Sequence, residues 1–469
     1  MVFQRFQHFQ KISAIWKEDN LLRRVVKNSS YLFGSNVLSS ALIFVQGILA
    51  VHLIGVTAWG LIATIVTFAA NINRLLSFRM SEVVVKRLGP ALAEKNKPEA
   101  AALVKAAGLT EAVTSVAAFT ILALLSPWAA TLFAKDIHTT PWFIFYGLIL
   151  LSNLVYETSA GVLQATHRFD RLARINLVQS VITASTISGL FLLNRWAGEA
   201  LVPYLIQNIL LAYLLGKTYL GVSVAILAGR ELNSALGSGW WRTPLGALSG
   251  KRAMALFAVN TNLNGSVNLF FRDNIPLYMA ALLSTTEVGY FKIAMTFILP
   301  ITLILDPFIV PTYTEIARTV AASQWAATLR LLKRISVITS SVVAAIWGLW
   351  ALTGWWLIPA LYTAKARPAY PLLLILLLGY GFASIFQWNR SLLLSLGKSG
   401  YPVWVSALTG VIELALIYSL APRYGYLMLA AILSGYFIVS IGLITLRGLR
   451  EVRRRQFATM RSTYSISQP

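Results

Sequence analysis

The chain has 469 residues, of which 57% are hydrophobic and only 12% are charged, and its mean hydropathy is +0.68. Soluble domains typically contain about 25% charged residues, so the composition excludes an ordinary water-soluble protein. There is no cysteine, which excludes disulfides and thiolate metal sites. The four histidines are scattered without the spacing of a metal site. A net charge of +23 would suggest nucleic acid in a soluble protein, but cytoplasmic loops of membrane proteins also collect Lys and Arg.

The first thirty residues form a charged leader with Phe3, Phe6, Phe9, Ile12 and Ile15 at steps of three. This spacing predicts an amphipathic helix over 1–30 on the cytoplasmic membrane surface; the alternative is a disordered tail.

Apolar runs of about 20 residues then follow end to end, the length of a membrane-spanning helix. In the first half we predict spans at 31–54, 59–80, 103–126, 142–164, 174–194 and 201–220. In the second half we predict spans at 253–283, 288–310, 332–353, 370–396, 402–420 and 426–447.

The longest polar break divides these spans into two sets of six. The predicted organisation is the leader at 1–30, an N-terminal six-helix lobe at 31–228, a cytoplasmic linker at 229–252, a C-terminal six-helix lobe at 253–447 and a basic cytoplasmic tail at 448–469. A weak internal repeat aligns Gly60 with Gly289 and Ala63 with Lys292. Because each half has an even number of spans, the repeat is parallel rather than inverted. The predicted fold class is therefore all-α, polytopic, with two six-helix lobes around a central cavity.

The distribution of basic residues sets the predicted orientation. When basic residues near the span ends are counted with the adjoining side, one side of the predicted topology carries 31 of the 40 Lys and Arg residues, the other side carries 5, and 4 lie well inside spans. The positive-inside rule then places both termini in the cytoplasm. This bias explains most of the net charge without a nucleic-acid partner. The longest outside loop has only about fourteen residues, which is too short for a catalytic domain.

Polar side chains recur at helical spacing in the first two spans of each half. Span two carries Asn71 and Arg74 on one stripe, and span seven carries Asn260, Asn264 and Asn268 at steps of four, ending at Arg272. Lys292 lies in span eight. A charge at the bilayer centre costs about 2.5–3.5 kcal/mol on insertion scales, so such residues usually face a cavity. We therefore predict a cavity whose candidate substrate-binding residues are Arg272, Arg74, Lys292, Asn260, Asn264, Asn268 and Asn71. The alternative is hydrogen bonding between helices.

Three further charged residues are candidates for ion coupling or for a structural role: Asp273, Arg390 and Glu413. Asp273 is adjacent to Arg272, and neighbours on a helix do not face each other, so Asp273 need not neutralise that arginine. For Arg390 and Glu413 an interhelical ion pair is as well supported as a functional role. Glu111, by contrast, is expected to be a structural carboxylate whose oxygens accept hydrogen bonds.

No P-loop, nucleophile motif or paired carboxylates in an exposed loop are present, so we expect no enzyme activity and no cofactor.

Four stretches of the sequence resemble a known family. Residues 31–37, 55–60, 272–276 and 288–294 are similar to polysaccharide flippases of the MOP superfamily, and most of all to the Wzx-type branch for O-antigen and exopolysaccharide units. This resemblance implies a bacterial inner-membrane protein with a central cationic cavity. It further implies movement of an undecaprenyl-diphosphate-linked oligosaccharide from the cytoplasmic to the periplasmic leaflet by alternating access. The implied partners are that lipid-linked glycan, membrane lipids, and a polysaccharide polymerase with its chain-length regulator.

Two other functions are compatible with many spans. Multidrug or small-molecule exporters of the same superfamily handle mostly cations and tend to carry cavity carboxylates, whereas the cavity candidates here are Arg and Lys. A glycan polymerase or ligase would be expected to have a large periplasmic loop, which this chain lacks. We therefore expect Arg272 to bind the diphosphate or an acidic sugar, with Arg74 and Lys292 completing a ladder across the membrane. The competing hypothesis is that Arg272 pairs with a carboxylate and only holds helices together.

Overall fold

The described residues form helices joined by turns. The computed structural model describes residues 20–466 except 78, 198–203, 253, 258, 260–261 and 263–268, and no strand occurs in that part of the chain. The all-α, polytopic prediction is thereby confirmed. The predicted leader helix lies mostly outside the described residues, which begin within a helix at Asn20.

The helices of the first half are α1 Asn20–Leu76, α2 Met80–Ala93, α3 Lys97–Ala129, α4 Thr140–Gly147, α5 Ile149–Ser152, α6 Tyr156–Ala165, α7 Phe169–Ala197 and α8 Leu205–Leu236. The helices of the second half are α9 Ile275–Leu282, α10 Thr285–Leu305, α11 Ile309–Ala321, α12 Trp325–Leu361, α13 Ala369–Ile385, α14 Asn389–Ser395 and α15 Gly400–Ile466. A π-helical turn, Leu269–Asp273, directly precedes α9.

Nine helical segments in the described part of the chain are long and apolar enough to cross a membrane. Two of these segments contain a kink, in α1 at Gly55 with φ 78° and in α15 at Gly425 with φ 77°. Only glycine adopts such a positive φ without a steric penalty, so each kink divides a long helix into two passes. These eleven passes match eleven of the twelve predicted spans; part of the remaining span, 253–283, lies outside the described residues.

The fourth span is broken rather than continuous, and a buried carboxylate stabilises the break. Glu111, on α3, accepts hydrogen bonds from the backbone N–H groups of Glu157 at 2.7 Å and Thr158 at 2.8 Å. These groups belong to the first turn of α6, where helix geometry leaves N–H donors without partners. Lipid offers no replacement for them, so Glu111 has the structural role expected from the sequence.

The linker between the halves begins later than the sequence suggests. Helix α8 continues to Leu236, so the non-helical linker starts at Gly237 instead of residue 229. The linker lies against the first half, because Lys105 donates to the Thr243 carbonyl at 3.1 Å and Arg87 donates to the Ser249 carbonyl at 2.9 Å. At the other end of the chain, α15 extends through the predicted tail as far as Ile466.

Candidate functional site

The two halves meet where α1 packs against α10. A Cβ atom added to Gly60 would lie 1.7 Å from the carbonyl oxygen of Thr285, and one added to Gly289 would lie 2.3 Å from the carbonyl oxygen of Val56. No side chain fits at either position, so the two backbones touch. We call the packing of Gly60 and Gly289 the glycine contact.

The glycine contact is symmetric with respect to the internal repeat. The hydroxyls of Thr57 and Thr286 lie 2.8 Å apart, and these residues are separated by 229 positions, as are Gly60 and Gly289. Each residue therefore touches its own repeat equivalent. Such reciprocal contacts are those of a two-fold related interface, so the halves meet here about an internal pseudo-two-fold axis.

A second contact between the halves is polar. Arg74 donates to the carboxylate of Asp273, and Asn71 donates to the side-chain oxygen of Asn274. Arg74 lies fourteen residues beyond Gly60 on α1, which corresponds to about 21 Å along a helix. The halves are thus held together at two positions along α1, at the glycine contact and at Arg74. The Asn71 amide thus joins the two halves, and its expected role in substrate binding stays a prediction.

Arg272 lies on the π-helical turn, where its side chain is 46% exposed. Its Nε donates to Asp273 at 3.1 Å, so these neighbours do pair, which the sequence left open. The wider π-helical turn ends at Asp273, and the two side chains converge there. Asp273 consequently lies between Arg272 and Arg74. The terminal Nη groups of Arg272 have no hydrogen-bond partner in the described part of the chain.

Packing fixes the turn that carries Arg272. The ring of Phe271 lies against Gly410 on α15, where an added Cβ would come within 2.3 Å of a ring carbon. The side chain of Tyr278 on α9 donates to the Phe270 carbonyl at 2.8 Å. These contacts hold the π-helical turn between α9 and α15, and with it the start of the Arg272 side chain.

Arg272 faces a cavity of about 240 Å³ within the second half. Its polar lining consists of Arg272, Asn389 and Arg390, with Ser406, Tyr436 and Ser440 from α15. We call this cavity the arginine pocket. No carboxylate lines it, and Arg390 has no ion pair among the described residues. Two guanidinium groups with hydroxyl and amide donors form a site suited to an anion.

The other predicted cavity residues are placed elsewhere. Arg74 and Lys292 do not line the arginine pocket; Arg74 borders a separate cavity of about 450 Å³, and the Lys292 side chain is exposed on α10. Arg390 is the cation that shares the arginine pocket with Arg272, and the expected ladder of Arg272, Arg74 and Lys292 stays a prediction. Asn260, Asn264 and Asn268 lie outside the described residues, and their role stays a prediction.

Glu413 makes none of the contacts considered for it. The residue is 2% exposed, and neither carboxylate oxygen has a hydrogen-bond partner within the described ranges. The ion pair considered between Glu413 and Arg390 is absent there, because Arg390 faces the arginine pocket instead. Glu413 borders a separate groove of about 350 Å³.

Sequence reasoning missed the three α15 residues of the pocket, Ser406, Tyr436 and Ser440. Single serines and tyrosines inside spans are common, and most serines bond only to their own helix, as Ser440 does with the Tyr436 carbonyl at 2.6 Å. The adjacent Asn389 and Arg390 in an otherwise apolar span were the available signal.

Comparison of the sequence with known proteins gives one partial match. No protein-family model matches the chain. Over 162 residues it is 25% identical to "Inner membrane protein YghQ" of Escherichia coli, a stretch that covers 34% of this chain and 44% of that protein. The chain thus matches less than half the length of this curated relative.

Comparison with solved structures covers nearly the whole chain. The lipid II flippase MurJ, in an inward closed conformation, gives a TM-score of 0.65 at 14% identity, covering 95% of this chain and 93% of that one. An inward-facing multidrug resistance MATE transporter gives 0.60 at 13% identity, covering 89% and 95%. The chain has the fold of the MOP-superfamily transporters. A MOP transporter from Pyrococcus furiosus has the same fold, with a TM-score of 0.58 at 14% identity, covering 92% and 96%. At these identities the likeness shows the fold alone.

Proposed function

We propose that this protein is a flippase that moves an undecaprenyl-diphosphate-linked oligosaccharide from the cytoplasmic to the periplasmic leaflet of the bacterial inner membrane. The resemblance to Wzx-type proteins supports a role in O-antigen or exopolysaccharide assembly. The observation that carries this proposal is the arginine pocket, in which Arg272 and Arg390 line one cavity without a carboxylate. The structural likeness to a protein named as a lipid II flippase supports it.

The charge of the arginine pocket favours an anionic substrate. Each arginine within a span costs about 2.5–3.5 kcal/mol on insertion scales. A diphosphate offsets this cost, because a guanidinium binds phosphate oxygens through paired, charge-assisted hydrogen bonds. A cation exporter would gain nothing from this lining. Carboxylates, which would attract cations, are absent from it.

The size of the arginine pocket assigns it to the headgroup of the substrate. Pockets for drug-sized ligands usually occupy about 300–1,000 Å³, and the arginine pocket is smaller, at about 240 Å³. It suits a diphosphate and not an oligosaccharide. The glycan would therefore extend from the pocket into the space between the two halves.

The two contacts between the halves supply the elements of alternating access. With both termini in the cytoplasm, the glycine contact lies at the periplasmic end and the Arg74–Asp273 ion pair lies nearer the cytoplasm. Opening of that ion pair admits the headgroup while Gly60 and Gly289 keep the periplasmic end closed. An anion bound to Arg272 then competes with Asp273 for this arginine. Asp273 is left to pair with Arg74, and this favours closure of the contact between the halves that lies nearer the cytoplasm.

The test replaces each pocket arginine in the host cell. We expect Arg272→Gln and Arg390→Gln to reach normal membrane abundance and to lose surface polysaccharide, while Arg272→Lys retains part of it. Arg423→Gln, which changes an exposed arginine outside the pocket, serves as the matched control and keeps the polysaccharide. Normal polysaccharide in the double Arg272→Gln, Arg390→Gln variant would contradict the proposal. So would a loss of polysaccharide that only follows a loss of protein.

A further inference from the structure

A buried carboxyl group lies next to the arginine pocket and is not used by it. Glu413 is 2% exposed, and both of its oxygens lack hydrogen-bond partners among the described residues. It faces an intramembrane groove between the two passes of α15, lined mainly by apolar side chains such as Ile412, Leu416, Met428 and Val439. Ile412 and Val439 are about half exposed, at 52% and 51%, so the groove opens at the surface of the second half. No basic residue lines it.

An ionised Glu413 would be costly in this position. A buried carboxylate needs donors or a cation to replace its water, and this groove offers neither. Ionisable groups within spans are usually functional for the same reason. A proton removes the charge without requiring any partner.

Tyr436 connects this carboxyl to the arginine pocket. Its side chain lines both the groove and the pocket. The titratable and charged groups that face Glu413 from the surrounding elements are Tyr278, Tyr380 and Tyr436, with Arg272 and Asp273 beyond them. Tyrosine and arginine ordinarily titrate at about pH 10 or above, and Asp273 is held by two arginines.

We propose that Glu413 is a proton-binding site that controls anion binding in the arginine pocket; this inference rests on the proposed function. The proton comes from water and adds to a carboxylate oxygen, and no other bond changes. An ionised Glu413 would repel an anion on the far side of Tyr436, and this repulsion is strong away from water. Protonation removes the repulsion. Proton and anion therefore bind together, and by linkage the anion draws a proton onto Glu413.

The direction of this linkage predicts how the substrate is released. The anion is held most tightly below the pH at which Glu413 ionises and more weakly above it. Loss of the proton after the headgroup has crossed would weaken the binding of the anion to Arg272 and Arg390. Uptake of a proton would prepare the pocket for the next headgroup.

The test measures binding of sulfate to the purified full-length protein in detergent by calorimetry. Sulfate keeps its charge across the range in which a carboxyl group titrates. Between about pH 5 and pH 9 the wild-type affinity should fall at least roughly fivefold, the lower range of coupling between sites. Titrations in two buffers of different ionisation enthalpy should show proton uptake on binding. Glu413→Gln should bind sulfate equally at every pH, as tightly as the wild type does in acid. Glu315→Gln, at a carboxylate on α11 whose side chain is 47% exposed, should keep the wild-type dependence.

Each outcome decides between the proposals. If the wild type binds sulfate equally at every pH and takes up no proton, the inference about Glu413 is overturned. The proposal that the arginine pocket binds an anion is then unaffected. A Glu413→Gln variant that keeps the wild-type pH dependence also overturns it. Absence of sulfate binding by the wild type at any pH contradicts the arginine pocket itself, and with it the proposed function. If Glu413→Gln does not fold, proton uptake by the wild type still decides.

Discussion

Gly60 and Gly289 touch across the two halves of the protein, and neither has space for a Cβ atom. The same two residues are equivalents in the internal repeat. Both halves therefore use the same surface to form the contact. A backbone contact of this kind depends on small residues alone, as is common between membrane helices. It can separate without breaking an ion pair, which suits the closure that opens and closes in the proposed transport cycle.

The first prediction concerns this closure. The chain has no cysteine, so Thr57→Cys with Thr286→Cys introduces one pair at hydroxyl positions 2.8 Å apart, and we expect it to form a disulfide readily. Adding Gly60→Ala should sharply reduce cross-linking, because the methyl group forces α1 away from the Thr285 backbone. Gly348→Ala, at a position where a Cβ meets nothing within 4 Å, is the control. Equal cross-linking in both backgrounds would show that the glycine contact does not hold the halves together.

The second prediction concerns the polar contact. Arg74→Gln removes the ion pair with Asp273 between the halves and should lower the free energy of unfolding by about 1–2 kcal/mol, since the pair is partly buried. Arg79→Gln, which removes an exposed pair with Glu82 on one helix, should change stability by less than about 1 kcal/mol. Thermal midpoints in detergent compare the two variants. Similar midpoints for both would mean that Arg74 contributes no more than a surface pair.

The third prediction concerns the break in the fourth span. Glu111→Ala leaves two buried N–H donors without an acceptor and should cost about 2–4 kcal/mol, with lower membrane abundance. Glu111→Gln keeps one acceptor oxygen and should fall between that variant and the wild type. Abundance and thermal midpoint are measured together. If Glu111→Ala were fully stable and lost only transport, the residue would be functional and its structural assignment would be wrong.

The fourth prediction is the membrane orientation. The 31-to-5 distribution of basic residues places both termini and the linker in the cytoplasm. Reporter fusions after Gly239 and after Arg450 should both give a cytoplasmic signal. A periplasmic signal at either position would reverse or break the twelve-span topology, and with it the direction of transport proposed here.

The all-α architecture could be predicted from the sequence because span length and hydropathy are local properties. The kinks at Gly55 and Gly425 were also placed correctly, as connections between predicted spans. The pairing of Arg272 with Asp273 could not be predicted, since it depends on a π-helical turn that the regular helical period does not encode. The choice of Arg390 over Arg74 and Lys292 as the second pocket cation depends on how α14 and α15 pack around Arg272. Helical spacing says which side chains share one helix face, and packing between helices decides which faces meet.

The central claim is that Arg272 and Arg390 bind the anionic headgroup of a lipid-linked glycan during its movement across the membrane. The most direct measurement is the rate at which the protein, reconstituted into vesicles, moves a labelled undecaprenyl-diphosphate oligosaccharide between leaflets. We expect the wild type to move the lipid without changing it chemically, Arg423→Gln to match the wild type, and Arg272→Gln with Arg390→Gln to approach the rate of empty vesicles. Movement by the double variant at the wild-type rate would contradict the claim.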